Sequence, residues 1–363
     1  MPHNDQVTMQ HAGRNERAGR NAWVDAAKGL CIILVVLFHS TLGVEKDLGY
    51  TTWMNTVIEW AKPFRMPDFF MISGLFLSAR IARPWVQYLD AKVWHFAYFY
   101  VLWFHIHFGL RLKTLIGDVG VDEAIKQYLE AYIDPFGSLW FIYLLAVFCI
   151  VAKLVQRVPV PVVTAIALAA HVLVPQTNVF LIDEFFARFV FFYVGYAYAP
   201  LILAYAEQLK RLPIQVLVGM LGLWALFNTL GLVTGLASVP VIELVFAGLG
   251  IAAVIMFCVA ITRGEAGTML GDALIYCGRN SIVIYLAFTI FMAITRTILV
   301  KMNLGFDGGM MAIASATAGL FGALILHALV RNTPLKFLFV RPALFQLGGT
   351  AGRPALAARF DQA

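Results

Sequence analysis

Apolar windows long enough to cross roughly 30 Å of hydrocarbon recur along almost the whole chain, and that recurrence constrains the fold more than any single motif. With 61% hydrophobic residues, only 13% charged and 29 Phe among 363 residues, the composition is far too apolar for an ordinary soluble domain. The chain therefore reads as an all-α polytopic membrane protein. About ten transmembrane helices are expected, near 22–43, 61–80, 91–112, 138–156, 160–176, 182–204, 212–233, 240–262, 273–299 and 310–331. No stretch is long enough for a second soluble domain, which leaves a tail at 1–21, a membrane domain at 22–345 and a second tail at 346–363. The first residues are polar and carry Arg14, Arg17 and Arg20, with no apolar core and cleavage site before Trp23. The first span is thus expected to stay as a signal anchor.

Orientation follows from the basic residues. With alternating spans and a cytoplasmic N-terminus, the inner side collects Arg80, Arg83, Lys92, Lys153, Lys210, Arg263 and Arg341 among others. The outer stretches 44–60 and 113–137 instead hold acids such as Glu45, Asp47, Asp122 and Glu130. Both termini are accordingly expected in the cytoplasm of a cell whose inner (plasma) membrane holds the protein. The net charge of +6 is explained by this asymmetry and by contact with anionic membrane lipids, so nucleic acid is not expected as a partner. The four cysteines, Cys31, Cys149, Cys258 and Cys277, fall inside apolar spans and read as small buried hydrophobes.

The first span carries ionisable groups, which are costly inside a membrane and mark function by default. Eleven residues separate Lys28 from His39, and eleven steps of about 100° return to nearly the same helix face. Their separation along the axis is about 16 Å, with Asp25 one turn below Lys28 and able to pair with it. His39 lies about 24 Å from Trp23, near the external surface, and Lys28 near the internal one. The helix can therefore touch an extended ligand, such as an acyl-CoA, that enters from the cytoplasm. Taken singly, Asp25 and Lys28 read equally well as interfacial anchors beneath Trp23, and His39 as a satisfied core histidine.

Other polar residues invite two readings each. Arg188, in the aromatic run FFARFVFFYVGY, needs an anionic partner or carbonyl cage, which Asp183 or Glu184 would supply if it is not bound to substrate. Arg65 and Asp68 flank Met66-Pro67, expected at the external mouth of the second span with the proline in the first helical turn. There Asp68 would orient His39 or grip a hydroxyl, or else cap the helix and pair with Arg65. Ser73-Gly74 reads as a close helix contact. His105 and His107 are two apart and point to different faces, which argues against a shared metal and allows each to line an external vestibule separately. His95, His171 and His327 read as structural. The acidic, partly amphipathic stretch 113–137 is the expected lid over an acceptor site.

The run DAAKGLCIILVVLFH resembles the first helix of the membrane-bound acyltransferase-3 family, whose motif is a basic residue, ten residues, then histidine. PFRMPDFFMISGLFLS is similar to that family's Met-Pro-x-Phe-Phe-x-Ile-Ser-Gly segment. Ser138-Leu139-Trp140-Phe141, Arg188-Phe189 with Phe192 and Gly195, and Gly278-Arg279-Asn280-Ser281 with Tyr285 resemble later segments in the right order. The chain departs from the pattern at Asp68, usually apolar there, and at Phe288, where many relatives place histidine. Its short members of this type look like sugar O-acetylases such as fucose 4-O-acetylases.

The resemblance implies an O-acetyltransferase that takes acetyl-CoA as donor, binds no permanent cofactor or metal, and accepts a hydroxyl on an extracytoplasmic or lipid-linked glycan. His39 would be the general base, with a covalent acyl-histidine the less favoured variant. Asp68 and Arg188 join it as catalytic candidates. Lys28, Asp25, Arg279 and Ser281 would serve the CoA end, and Arg65, Trp140, His105 and His107 the acceptor. Many members append an extracytoplasmic hydrolase-like domain; none is expected after the last span here, so the chain would act alone or hand its acyl group to a separate protein. A succinyltransferase for periplasmic glucans and a transporter or flippase are the competing readings, although no internal repeat of the kind transporters show is evident. A non-catalytic scaffold would leave the register of Lys28 and His39 unexplained.

Overall fold

The computed structural model describes residues 22–174, 177–264, 268–302 and 305–347, and all of its regular structure there is helical. Apart from Gln346 and Leu347, the expected tails, with Arg14, Arg17, Arg20, Arg353 and Arg359, lie outside the described residues. The long helices are α1 (Ala22–Leu48), α2 (Trp53–Leu75), α3 (His95–Val119), α4 (Val121–Glu130), α5 (Trp140–Leu154), α6 (Val160–Leu173) and α7 (Phe180–Ala197). They continue with α8 (Ala199–Arg211), α9 (Ile214–Val233), α10 (Pro240–Ile261), α11 (Met269–Arg279), α12 (Ser281–Met302) and α13 (Gly308–Val330).

Six helices among the described residues are long and apolar enough to cross a membrane, and a seventh span results if α7 and α8, bent by 74°, count as one. The other three of the ten expected spans correspond to α2, α3 and α6. Of these, α2 carries Glu59, Lys62, Arg65 and Asp68, α3 carries three histidines and Arg111, and α6 has only 14 residues. The architecture is a polytopic membrane fold.

Three local expectations change. The second span begins at Trp53, not near 61, so Pro63 and Pro67 lie inside α2 and Pro67 does not open it. The reason lies on another helix. The Glu45 carboxylate of α1 accepts from Thr52 N at 2.7 Å, Thr52 Oγ1 at 3.0 Å and Asn55 Nδ2 at 3.0 Å, and so anchors the start of α2. The stretch expected as a loop at 113–137 is mostly helix: α3 runs on to Val119, turns at Gly120 (φ 85°) and continues as amphipathic α4. Finally, the span expected at 273–299 is broken after Arg279 into α11 and α12.

α1 is the centre of the molecule, packed by α2, α10, α11, α12 and α13. Two pairs of glycines let helix backbones touch. A Cβ on Gly29 would run into the Leu274 carbonyl and one on Gly278 into the Asp25 carbonyl, which locks α11 onto α1. Gly74 meets the Phe192 carbonyl and Gly195 the Met71 carbonyl in the same way, locking α7 onto α2 as the Ser73-Gly74 pair suggested. All four cysteines are buried and free.

Candidate active site

Helical pitch places Lys28 and His39 on the side of α1 that faces α2. Lys28 Nζ sits 5.1 Å from the centre of the Phe76 ring, just past the inner end of α2. His39 lines a cavity of about 220 Å³ together with Arg65, Met66 and Phe69 of α2. The remaining wall comes from Val35 and Phe38 of α1, Ser138, Trp140 and Phe141 at the start of α5, Phe180, Glu184 and Arg188 of α7, and Tyr285 of α12. The ring therefore faces protein and a cavity, not lipid.

The surroundings of His39 are aromatic. Its ring centre lies 5.2 Å from that of Phe38 and 5.6 Å from that of Phe288, so the residue standing where relatives place a histidine packs directly on it. Neither imidazole nitrogen has a hydrogen-bond partner among the described residues. Such a ring is free to take a proton from a ligand hydroxyl in the cavity. Helix α1 continues nine residues beyond it to Leu48, which puts His39 about 14 Å from the C-terminal end of the helix, farther than its place near the end of the expected span.

Arg65, Arg188 and Trp140 join His39 in the cavity wall. Arg65 is 6% exposed and lies with its guanidinium 3.9 Å from the centre of the Phe38 ring, donating from Nη1 to Ile58 O at 3.3 Å. Arg188 donates from Nε to Glu184 Oε2 at 3.1 Å, one of the two acid partners weighed for it. Tyr285 donates its hydroxyl to the Ser138 carbonyl, tying α12 to the entrance of α5 and fixing one side of the wall.

Asp68 is not in this wall. It is fully buried, neither carboxylate oxygen has a partner, and it lies within electrostatic reach of Cys31 on α1 and Cys258 on α10. It makes no hydrogen bond with His39 and no ion pair with Arg65 among the described residues: its carboxylate lies toward Cys31 and Cys258, where α1 and α10 pack on α2. His105 and His107 of α3 also stay outside the cavity. His105 contacts Val101 O at 2.6 Å and the Tyr128 hydroxyl at 3.0 Å under α4, whereas buried His107 meets Leu286 O at 3.0 Å and Thr289 Oγ1 at 3.3 Å on α12. They do point to different faces. No residue of the expected lid, 113–137, lines the cavity; the wall begins at Ser138, the residue after it.

At the Lys28 end of α1, Asp25 bridges two cations: Lys28 Nζ at 3.6 Å and Arg279 Nε at 3.2 Å. Ser281 follows two residues later as the first residue of α12. Lys92 lies within electrostatic reach of Lys28, Arg80 and Arg83, so basic groups from three chain segments converge there. Trp23 is 1% exposed and packs in the core. Lys28 is not in the cavity wall: it lies seven residues, about 10 Å, inward of Val35.

The acyltransferase-3 family model, described as an acyltransferase domain, matches residues 21–331. The chain belongs to the acyltransferase-3 family. It is also 25% identical over 312 residues to the inner membrane protein YcfT of Escherichia coli (strain K12), covering 78% of this chain and 83% of that protein. No solved structure matches it. As an acyltransferase-3 member it is a multi-pass inner-membrane enzyme that transfers an acyl group other than an aminoacyl group, with acyl-donor and acceptor substrates. Family membership sets the transporter and scaffold readings aside.

Several residues that line the cavity carried no separate signal in the sequence. Phe38, Phe69, Phe141 and Phe180 look like any other lipid-facing aromatic, and only their neighbours across helices make them cavity walls. Glu184 was visible as a partner for Arg188, one turn away on the same helix. Buried Asn228, which donates to Trp60 O at 2.9 Å, and buried Lys153, which donates to Arg83 O at 2.9 Å and to the Ile81 carbonyl, hold helices together away from the site.

Proposed function

We propose that this acyltransferase moves an acetyl group from cytoplasmic acetyl-CoA to a hydroxyl of an extracytoplasmic or lipid-linked glycan, with His39 as general base. The observation that carries this reading is an imidazole without a hydrogen-bond partner, facing a cavity on the same side of α1 as a cluster of basic groups at the inner end. The acceptor hydroxyl would give its proton to a His39 nitrogen as its oxygen forms a bond to the thioester carbonyl carbon. Negative charge then gathers on the carbonyl oxygen, where Arg188, held by Glu184 in the cavity wall, would stabilise it. Collapse breaks the carbon–sulfur bond, and the imidazolium returns its proton to the departing CoA thiolate.

Lys28 and Arg279 would meet the phosphates of CoA, whose extended pantetheine arm suits the distance from Lys28 to His39 of about 16 Å along the helix. Trp140 in the cavity wall offers a flat apolar face to a sugar ring. The test uses purified protein in detergent with acetyl-CoA and a glycan acceptor. His39→Ala should lower transfer at least about 100-fold while the protein stays monodisperse and thermally intact. Full transfer by that variant, or no detectable CoA binding by the wild type, would overturn the reading. Comparing the mass of cell-surface glycans with and without the gene product identifies the acceptor.

A further inference from the structure

We infer that the cavity beside His39 holds an anionic group of a substrate, a carboxylate or phosphate oxyanion, with Arg65 as its main partner. The inference rests on the cavity being the transfer site, as proposed above. It starts from a charge that the protein leaves unmatched.

Arg65 is buried on a membrane helix, yet its protein contacts are one carbonyl, Ile58 O, and one ring face, Phe38. Its Nε is sealed from solvent without a partner. The acids that could neutralise it are each accounted for. Asp68, three residues on, is turned away with both oxygens unpartnered. Glu59 is held by Lys62 at 3.2 Å, and Glu184 by Arg188 at 3.1 Å. The cavity wall therefore contains two guanidiniums and one carboxylate, an excess of one positive charge.

A buried guanidinium is costly unless an anion completes it, and a ring face with a single carbonyl is a poor substitute. Its planar fork fits a carboxylate or phosphate through paired hydrogen bonds. Because Arg65 and His39 share one small cavity, an anion on Arg65 would fix the rest of its molecule beside the base. Two sources have this chemistry. The acyl group can carry a far carboxylate, as in a succinyl donor, or the acceptor can carry an acidic group, as in a uronic acid.

The experiment uses full-length protein in detergent with two matched pairs of probes: succinyl-CoA against acetyl-CoA, and methyl glucuronide against methyl glucoside. Transfer of labelled acyl group gives KM, and thermophoresis gives Kd for each probe whether or not it turns over. At least one charged probe should bind about tenfold more tightly than its neutral counterpart. Preference within the donor pair assigns the anion to the acyl group, and preference within the acceptor pair assigns it to the sugar. Arg65→Gln should erase the preference and Arg65→Lys should keep part of it. Arg188→Gln leaves Glu184 unpaired beside the anion and should weaken the preference too, which keeps the test open if Arg65→Gln does not fold. The inference is overturned if neither pair shows a preference in the wild type, or if the preference survives in folded Arg65→Gln or, where that variant is unstable, is unchanged in Arg188→Gln. His39→Ala separates the two ideas: it should lose transfer yet keep the charge preference in binding. If it transfers normally, the general-base reading fails while the anion site still stands or falls on Kd.

Discussion

Gly29 on α1 and Gly278 on α11 meet backbone to backbone, each in the place where a side chain on the other would have to be. This contact sets Arg279, the next residue, against Asp25 at 3.2 Å and so builds the inner end of the proposed donor site.

Gly278→Leu should separate the two helices. Its Cβ would meet the Asp25 carbonyl, which belongs to backbone and cannot swing aside, so the cost should be about 3 kcal/mol or more. The check is the yield of monodisperse protein and its thermal midpoint in detergent. Gly222→Ala on α9, where nothing lies within 4 Å, is the control and should be neutral or slightly stabilising. A stable, monodisperse Gly278→Leu protein would show that α11 is not held to α1 in this way.

Lys28→Met and Arg279→Gln should each raise KM for acetyl-CoA by about three- to tenfold with little change in kcat, because a phosphate contact made equally in ground and transition states is lost. The Arg279 effect should shrink as salt rises, since its side chain is 58% exposed. A fall in kcat at unchanged KM would instead place these cations near the chemistry.

Arg341 and Asp90 form a buried ion pair at 2.9 Å, with side chains 7% and 10% exposed, and Asp90 Oδ1 also accepts from Leu347 N at 2.6 Å. This pair clamps the segment after α13 to the turn before α3. Arg341→Met would strand a buried carboxylate and should cost about 3 kcal/mol of stability. Thermal denaturation and the rate of proteolysis after residue 330 measure it; a loss below about 1 kcal/mol would mean that Asp90 finds another partner.

Asp307 caps α13, accepting from Gly309 N at 2.9 Å and Met310 N at 3.2 Å, and also accepts from Trp53 Nε1 at 2.6 Å at the start of α2. The Trp53 hydrogen bond first, then the helix N–H groups, hold its carboxyl below the ordinary value of 3.8. With the folded value lower than the unfolded one, the contribution is complete above pH 3.8 and is lost as pH falls through the lower folded value. Asp307→Asn should flatten that part of the curve of thermal midpoint against pH; an identical curve would rule the link out.

Much of the site was legible because it depends on one helix at a time. The spacing of Lys28 and His39, the one-turn link between Arg188 and Glu184, and Gly74 as a point of close approach all follow from helical pitch and residue size. What failed was reasoning that stopped at the nearest proline. Pro67 looked like a first-turn residue, but Glu45, eight residues before Trp53 and on a different helix, supplies the cap that starts α2 earlier. With α2 running through, the Asp68 carboxylate lies toward α1 and α10, and Arg65 lines the cavity without it.

The sequence by itself determined that the chain is a helical membrane protein, that an imidazole and a cation share one face of its first helix, and which acyltransferase family it resembles. Those properties live in composition and in a pitch of 3.6 residues, both of which are local. Only the tertiary structure decided that His39 shares a cavity with Arg65, Arg188 and Trp140 while Asp68, His105 and His107 do not. Which helix each face meets is set by backbone contacts such as those at Gly29 with Gly278 and Gly74 with Gly195, between residues more than a hundred positions apart, and no periodicity within a single helix encodes its partner.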